Sequence, residues 1–372
     1  MSDAKGMDII MKIKEIKMGK ISTPLKKPYR VGKRFLTYSD EIVIKMITDT
    51  GEIGYGSAAP TPSITGETEN SIIGAINYIK PEILGLDIDN LEEIMKVIHN
   101  SIHGNNSAKA AIDMAIYDLL CKKYGVPLYK FLGGYKTSLT TDLTIANDTV
   151  EQMVGKSLEA VMDGYTYLKV KIGNDLEHDI ERVKAVRKAV RRGIKIRVDA
   201  NQGWRPKEAV SIIRKFEDMG LDIEFVEQPV NAWDIDGLKY VTDNVETKIL
   251  ADEAVFGPSD AFKIIERRAA DLISIKLMKC GGINNAIKIY NMAENMGIRC
   301  MMGCMLESRM GITAAASFAA SKSNMIKADL DTMLLFEHDS IIGGACITGN
   351  RITINDSPGL GISDIIGWHE IL

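Results

Sequence analysis

The sequence has 372 residues, of which 45% are apolar and 26% are charged, and its formal net charge is -4 at pH 7. This composition excludes extended disorder, and the even spread of charge argues against nucleic acid as a partner. No apolar run is long enough to cross a membrane, and the amino terminus lacks a signal-peptide pattern. We therefore expect a cytoplasmic protein with a small-molecule substrate, no membrane partner and two domains.

The first part of the chain combines strand patterns with later helix patterns. Strand-like stretches lie at residues 9–21 and 42–48, and helical periodicity runs from 72 to 132. This order predicts an α+β domain over residues 1–135. Residues 336–372 are rich in turn signals, including Gly343-Gly344, and we expect them to pack back on that domain.

Between these two parts, short apolar runs alternate with helical patterns, which is typical of parallel βα units. Residues 139–145 are predicted as the first strand, with later strands at 194–198 and 223–226. An apolar stripe that begins after Pro206 and ends before Gly220 predicts an amphipathic helix between the last two. We therefore predict a barrel of eight parallel strands over residues 136–335.

A charged residue ends most of these apolar runs. In chain order they are Lys171, Asp199, Glu227, Asp252, Lys276 and Asp329, at spacings of 28, 28, 25, 24 and 53 residues. One βα unit needs about 25 to 30 residues, so the last spacing holds two units, with residues 300–303 as the strand between. The regular spacing predicts that all six side chains lie at one rim of the barrel.

Three of these residues, Asp199, Glu227 and Asp252, are carboxylates on consecutive strands. Three converging anions repel one another unless a cation holds them, and oxygen ligands favour a hard divalent ion. The pattern therefore predicts one Mg²⁺ per subunit at the carboxyl-terminal rim. For any one of the three, a rim salt bridge or a helix cap is the alternative.

The lysines suggest acid–base chemistry. Lys169 and Lys171 are two residues apart on one strand, so they share a face, and two adjacent ammonium groups lower a lysine pKa towards that of a general base. Lys276 ends a strand four units later, across the barrel. Opposed lysines around a metal-bound carboxylate can remove an α-proton from one face and return one to the other. A structural ion pair is the alternative for each lysine.

These motifs resemble the enolase superfamily and, within it, the muconate-lactonizing subgroup. The resemblance covers nearly the whole chain and rests on Lys169-Val170-Lys171, Val198-Asp199-Ala200-Asn201, Val226-Glu227-Gln228-Pro229, Ala251-Asp252-Glu253 and Ile275-Lys276. It implies an α/β fold, a modified TIM (β/α)7β barrel with an amino-terminal capping domain that the carboxyl-terminal segment completes. It also implies that Lys171 and Lys276 are the acid–base pair, that Lys169 assists them, and that the three carboxylates bind Mg²⁺.

A narrower resemblance, to the dipeptide epimerases, rests on residues 199–204 and 276–282 and on Asp329-Leu330-Asp331. It implies that Asp329 and Asp331 bind the α-ammonium group of the substrate, which agrees with the preference of a cation for paired anions. Turn capping is the alternative. Arg34 lies where L-Ala-D/L-Glu epimerases carry the arginine that grips a glutamate side chain. Ser57 departs from the glutamate that is common at its place in the family.

We add Ile64, Thr144 and Met305 to the expected substrate contacts. The resemblance implies an isomerase, a homo-oligomeric dipeptide epimerase that converts L-Ala-L-Glu to L-Ala-D-Glu during the reuse of cell-wall peptides. N-acylamino acid racemases, o-succinylbenzoate synthases and cycloisomerases share the proton abstraction but do not need paired ammonium-binding aspartates. A Schiff-base aldolase that uses Lys276 and a non-catalytic metal-binding barrel are the alternatives from other classes.

Overall fold

The computed structural model describes residues 10–31, 34–173 and 175–371. Its first part is an antiparallel sheet on which helices pack, formed by β1 (Ile13–Val31), β2 (Arg34–Thr48), β3 (Ile53–Ala58), α1 (Glu69–Ile83), α2 (Leu91–Ser101), α3 (Asn106–Lys123) and α4 (Leu128–Phe131). Ile42, Ile44 and Met46 alternate along β2 and are all buried, as the period of two predicts for one face of a strand that packs into a core. Helix α3 packs so closely on β3 that a Cβ at Gly56 would overlap the carbonyl oxygen of Ala111.

The middle of the chain alternates strands and helices. The elements are β4 (Ser138–Thr140), β5 (Leu143–Ile145), α5 (Val150–Met162), β6 (Tyr167–Lys171), α6 (Leu176–Ala189), β7 (Lys195–Asp199), α7 (Pro206–Asp218), β8 (Ile223–Glu227), α8 (Ile235–Asp243), β9 (Ile249–Ala251), α9 (Pro258–Arg267), β10 (Leu272–Ile275), α10 (Leu277–Cys280), α11 (Ile283–Asn295), β11 (Arg299–Gly303), α12 (Arg309–Ser321) and β12 (Met325–Asp329). Strands β5 to β12 form one eight-stranded parallel sheet in chain order. This confirms the predicted (β/α)7β architecture.

Side chains join the first and last strands of this sheet. The amide of Leu330 donates to Thr141 Oγ1 at 2.8 Å, and the amide of Thr144 donates to Asp331 Oδ2 at 2.7 Å. These two hydrogen bonds connect the end of β12 to the segment around β5. They bring Asp331, which the sequence assigns to the substrate, to the seam of the barrel.

The prediction of one strand over residues 139–145 is wrong. The stretch forms β4 and β5, and β4 pairs with the carboxyl-terminal segment while only β5 belongs to the barrel. Between them, Thr141 and Asp142 are buried and hydrogen-bonded to Leu330 and Arg197. A short apolar run does not reveal which of two sheets its ends will join, because the partners are distant in sequence.

The carboxyl-terminal segment is built of short strands after a 3₁₀ helix, Thr332–Leu335. They are β13 (Ile341–Gly343), β14 (Cys346–Thr348), β15 (Arg351–Thr353), β16 (Ile362–Ile365) and β17 (His369–Ile371). Strand β17 pairs with β1, and the first sheet has the order β17-β1-β2-β3, so the segment completes the amino-terminal domain. The domain limits after residues 135 and 335 stay predictions. Among the described helices, none has the length and apolarity needed to cross a membrane.

Candidate active site

Strands β6 to β9 bring charged side chains to the same edge of the barrel sheet. Lys171 pairs in register with Asp199, and Asp199 with Glu227, while Asp252 directly follows β9. All three carboxylates are buried. Because the carboxyl ends of parallel strands meet at one rim of a barrel, the three acids that the sequence assigns to a metal lie next to one another.

Lys169 lies in the middle of these acids. Its Nζ is 2.7 Å from Asp329 Oδ2, 3.0 Å from Glu227 Oε2 and 3.1 Å from Asp199 Oδ2. Burial acts to lower the pKa of Lys169, but the charges of these carboxylates outweigh burial and raise that pKa well above its ordinary value. The expectation of a lowered pKa from adjacent ammonium groups is therefore wrong for Lys169, which is an ammonium group at neutral pH.

Lys276, directly after β10, contacts the third acid. Its Nζ lies 2.8 Å from Asp252 Oδ2, and Lys279 Nζ lies 2.6 Å from Asp252 Oδ1. Burial acts to lower the pKa of Lys276, but the charge of Asp252 outweighs it and raises that pKa. Strand β11 also comes close to this lysine: a Cβ at Gly303 would lie 2.8 Å from Lys276 Cε, so a larger residue there would displace the end of the lysine side chain.

Lys171 stands on the other side of the rim. Its strand, β6, and the strand of Lys276, β10, are four positions apart in the eight-stranded sheet, which places the two amines opposite one another. Lys171 Nζ lies 3.9 Å from Asp199 Oδ2, and the side chain is 32% exposed. Lys171 therefore faces accessible space above the acids, as a base that meets a substrate must.

The donor set fits a hard divalent cation. Glu227 Oε1 is buried and has no hydrogen-bond partner among the described residues, and Oε2 contacts Lys169 without hydrogen-bond geometry. Burial and the charge of Asp199 raise the pKa of Glu227 well above its usual value, so added positive charge would stabilise its ionised form. In the described ranges, no group of three or more His, Cys, Asp or Glu side chains is close enough together to hold a metal ion, and lysine amines lie against Asp199 and Asp252.

Asp329 and Asp331 lie at the end of β12. The strand ends at Asp329, and Asp331 lies beyond it in a helical conformation, directly before the 3₁₀ helix, so strand alternation does not place the two side chains on one face. Both are nevertheless buried and close enough to interact. Burial, and then the charge of Asp329, raise the pKa of Asp331 to about 6. The structure brings together two acidic groups beside Lys169.

The other four predicted substrate contacts lie in separate parts of the chain. Thr144 donates its amide to Asp331, Met305 is buried in the loop after β11, and Ile64 is half-buried in a turn that Thr61 begins. The side chain of Arg34 lies outside the described residues. The structure therefore places the amide of Thr144 against Asp331, while the roles of Thr144, Met305 and Ile64 in substrate binding and the position of the arginine stay predictions.

Three residues hold the acids in place and were not assigned by sequence reasoning. Gln228 Oε1 accepts the amides of Asp252 at 2.9 Å and Ala254 at 3.1 Å. Lys279 is fully buried against Asp252, and Asn201 donates its backbone amide to Asp199 Oδ1 at 3.0 Å. Gln228 and Asn201 have φ values of 34° and 43°. Such backbone strain marks functional sites, but it cannot be read from a sequence.

Comparison with known families covers most of the chain. The mandelate racemase/muconate lactonizing enzyme amino-terminal domain matches residues 14–133, and the family described as enolase C-terminal domain-like matches residues 152–363. The second match includes every acid and lysine of the candidate active site. The first match ends just after α4, and the second ends within β16 of the carboxyl-terminal segment.

Individual relatives are similar over nearly their full length. The L-Ala-D/L-Glu epimerase of Clostridium acetobutylicum is 50% identical over 356 residues, which is 95% of this chain and 99% of the relative. The substrate-liganded L-Ala-D/L-Glu epimerase of Bacillus subtilis superposes with a TM-score of 0.93 at 46% identity, over 96% of this chain and 99% of that one. The dipeptide epimerase of Enterococcus faecalis, complexed with Mg and L-Leu-L-Tyr, gives a TM-score of 0.91 at 41% identity, over 95% and 100%.

Proposed function

Because the chain belongs to the enolase superfamily and is an isomerase, we propose that it is a Mg²⁺-dependent dipeptide epimerase. It would invert the α-carbon of the carboxyl-terminal residue. The observation that carries this proposal is the position of two amines, Lys171 and Lys276, on opposite strands with three buried carboxylates between them. Opposed bases are what a reaction needs when a proton leaves one face of a carbon and returns to the other.

Asp199, Glu227 and Asp252 would hold the ion. Their all-oxygen donor set and the unpartnered Glu227 Oε1 support Mg²⁺. When bound, Mg²⁺ supplies positive charge that stabilises the negative charge developing on the substrate carboxylate. Lys169, an ammonium group amid these acids, would add to that stabilisation from the protein side.

The proton transfer itself falls to the two outer lysines. In one direction, Lys171 takes the α-proton from its side of the substrate and Lys276 delivers a proton to the opposite face. In the other direction, the roles are exchanged. The ion pair between Lys276 and Asp252 favours the ammonium form of Lys276, so this lysine is ready to donate when Lys171 acts as the base.

The amino end of the dipeptide would bind Asp329 and Asp331. Both acids are buried at the seam of the barrel, where a free α-ammonium group would compensate their charges. An N-acylated substrate has no such charge, which argues against the N-acylamino acid racemase alternative. A Schiff-base aldolase needs no bound cation, whereas the three buried carboxylates and the unpartnered Oε1 of Glu227 support a cation site beside Lys276.

The enzyme must also select the side chain of the residue that it epimerises. We propose L-Ala-L-Glu and L-Ala-D-Glu as the substrate pair, which the names of two relatives support. We also propose that Arg34 binds the glutamate carboxylate and that the enzyme acts in the reuse of cell-wall peptides. A preference for hydrophobic dipeptides is the second candidate, since the E. faecalis relative was crystallised with L-Leu-L-Tyr. We also propose a cytoplasmic homo-oligomer with one Mg²⁺ per subunit; the five unpaired cysteines suit a reducing compartment.

Incubation with L-Ala-L-Glu and Mg²⁺ in D₂O tests the reaction directly. We expect deuterium at the α-carbon of glutamate and formation of the L-Ala-D-Glu epimer, detected by mass spectrometry and NMR. Chelation with EDTA should stop both, and added Mg²⁺ should restore them. A library of dipeptides run in the same way separates the two substrate candidates. If no dipeptide exchanges its α-proton in the presence of Mg²⁺, the proposed function is wrong.

A further inference from the structure

The loop of residues 304–308, here called the β11 loop, packs against the acids proposed to bind the substrate ammonium group. Cys304 Sγ donates to the carbonyl oxygen of Asp329 at 3.3 Å, and Thr332 Oγ1 donates to the carbonyl oxygen of Glu307 at 3.2 Å. Met305, a predicted substrate contact, lies within this loop and is buried. The position of the loop therefore shapes the amino end of the proposed substrate site.

Two buried carboxyl groups hold this loop, one from each domain. Glu307 Oε1 accepts the amide of Met305 at 2.8 Å inside the loop. Glu41, on β2 of the amino-terminal sheet, accepts the amide of Ser308 at 3.3 Å, where α12 begins. Ser39, also on β2, donates its hydroxyl to the carbonyl oxygen of Leu306 at 3.4 Å. Hydrogen bonds therefore connect the loop to the capping domain, and another hydrogen bond lies within the loop.

The second oxygen of Glu307 is the unusual feature. Glu307 Oε2 is buried and has no hydrogen-bond partner among the described residues, and a Cβ at Gly311 would overlap it. An ionised carboxylate oxygen without a donor is costly in such a place, and a neutral carboxyl oxygen without a partner costs much less. This geometry indicates that Glu307 is a neutral carboxylic acid when the loop is in the observed position.

The charged groups around the pair support the same protonation state. Glu307 faces Glu41 from β2, Lys276 from the end of β10 and Cys304 from its own loop, and Glu41 faces Ser57 and Ser308. Burial raises the pKa of Glu307 to about 8, with the charge of Glu41 acting in the same direction, while Lys276 acts against it. Burial raises the pKa of Glu41 to about 7. At neutral pH the pair keeps a proton and loses it as the pH rises.

We propose that Glu41 and Glu307 are positioning residues: a pair of buried carboxyl groups, at least one protonated, that fastens the β11 loop across the contact between the capping domain and the barrel. When both carboxyl groups ionise, two anions are left buried near each other, and the loop leaves its place beside Asp329. The pair would therefore affect substrate binding more than proton transfer. The effect on the substrate rests on the proposed function, but the movement of the loop does not.

Hydrogen exchange tests the movement without any substrate. Deuterium uptake of the peptide that spans residues 304–308 is measured by mass spectrometry at about pH 7 and about pH 9, corrected for the intrinsic pH dependence of exchange. We expect protection of this peptide to fall about tenfold between these pH values, while that of α11, residues 283–295, stays constant. In Glu307→Gln, which keeps an oxygen acceptor and cannot ionise, the fall should disappear. Unchanged protection in the wild-type protein overturns the proposal even if the variant fails to fold.

Kinetics supply the second readout. For the wild-type enzyme, KM for the dipeptide should rise above about pH 8 while kcat changes less, and Glu307→Gln and Glu41→Gln should each remove most of that rise. Glu266→Gln, an exposed glutamate on α9, is the matched control and should behave as wild type. If KM rises equally at alkaline pH in the wild type and all three variants, the positioning role is overturned. Absence of any turnover contradicts the proposed function instead, and the hydrogen-exchange result then decides the positioning role alone.

Discussion

Lys169 Nζ lies 2.7 Å from Asp329 Oδ2, although 160 residues separate the two in sequence. The same amine contacts Asp199 at 3.1 Å and Glu227 at 3.0 Å. One buried ammonium group therefore connects the acids proposed for Mg²⁺ with an acid proposed for the substrate ammonium group. This contact couples the two halves of the site electrostatically.

Replacing Lys169 with Met should remove this connection and leave three carboxylates without their shared cation. We expect kcat/KM to fall by about 100-fold or more, since stabilisation of developing charge is lost in a buried site. Lys169→Arg should recover part of the loss because the positive charge is kept. Circular dichroism checks that both variants fold. Activity within about twofold of wild type in Lys169→Met would show that the amine has no part in the reaction.

Lys171→Ala and Lys276→Ala should each stop epimerisation, with losses of at least about 100-fold. Each variant keeps one of the two bases, so one of them should still exchange the α-proton of a single enantiomer in D₂O. The measurement is deuterium incorporation from L-Ala-L-Glu and from L-Ala-D-Glu separately. Lys263→Ala, an exposed lysine on α9, is the control. Mild and equal losses in the two variants would contradict the assignment of two bases.

Asp331→Asn should weaken binding of the substrate ammonium group with little effect on chemistry. A charged hydrogen bond contributes roughly 1.5–3 kcal/mol, so KM should rise by about 10- to 150-fold while kcat changes little. N-acetylated dipeptides carry no ammonium group and serve as the control substrate. Asp331→Asn should reduce the ratio of kcat/KM for free dipeptides to kcat/KM for acetylated dipeptides. A variant with an unchanged ratio of kcat/KM for the two substrates would remove Asp331 from that role.

Arg34→Ala addresses the side-chain preference. Loss of an arginine that pairs with a carboxylate should lower kcat/KM for L-Ala-L-Glu by about 10- to 100-fold and leave that for L-Ala-L-Leu nearly unchanged. The ratio of the two constants is the measurement. Lys26→Ala, an exposed residue on β1, controls for general loss of positive charge. If the ratio does not change, the arginine is not part of the site.

Arg197→Met concerns stability, because Arg197 is buried within the barrel. Its guanidinium pairs with Asp142, which is fully buried, and with Glu224 at 2.8 Å. Removing one partner leaves a buried charge uncompensated, which costs about 3–5 kcal/mol. Urea unfolding followed by circular dichroism should show this loss in the free energy of unfolding. The exposed pair is the comparison: Lys239→Met, opposite Asp243, should cost less than about 1 kcal/mol.

The chain by itself determined the number of βα units and the charged residues at the ends of six of the eight strands. Periodicity of two or 3.6 residues and a repeat of roughly 25 to 30 residues are local properties, so the order of residues is enough to assign Asp199, Glu227, Asp252 and Lys276 to one rim. The family likeness of their motifs then implied what they do. Both inferences depend only on residues that are near one another in sequence.

The tertiary structure alone decided which groups touch and how they ionise. Three features depend on partners that are far away in the chain. They are the division of residues 139–145 between two sheets, the ion pair of Lys279 with Asp252, and the hydrogen bond of Glu41 to the β11 loop. The pKa of Lys169 moves upward because the nearest charges turn out to be carboxylates rather than the neighbouring lysine. Electrostatic energies vary with distance and burial, and neither quantity is written in the order of the residues.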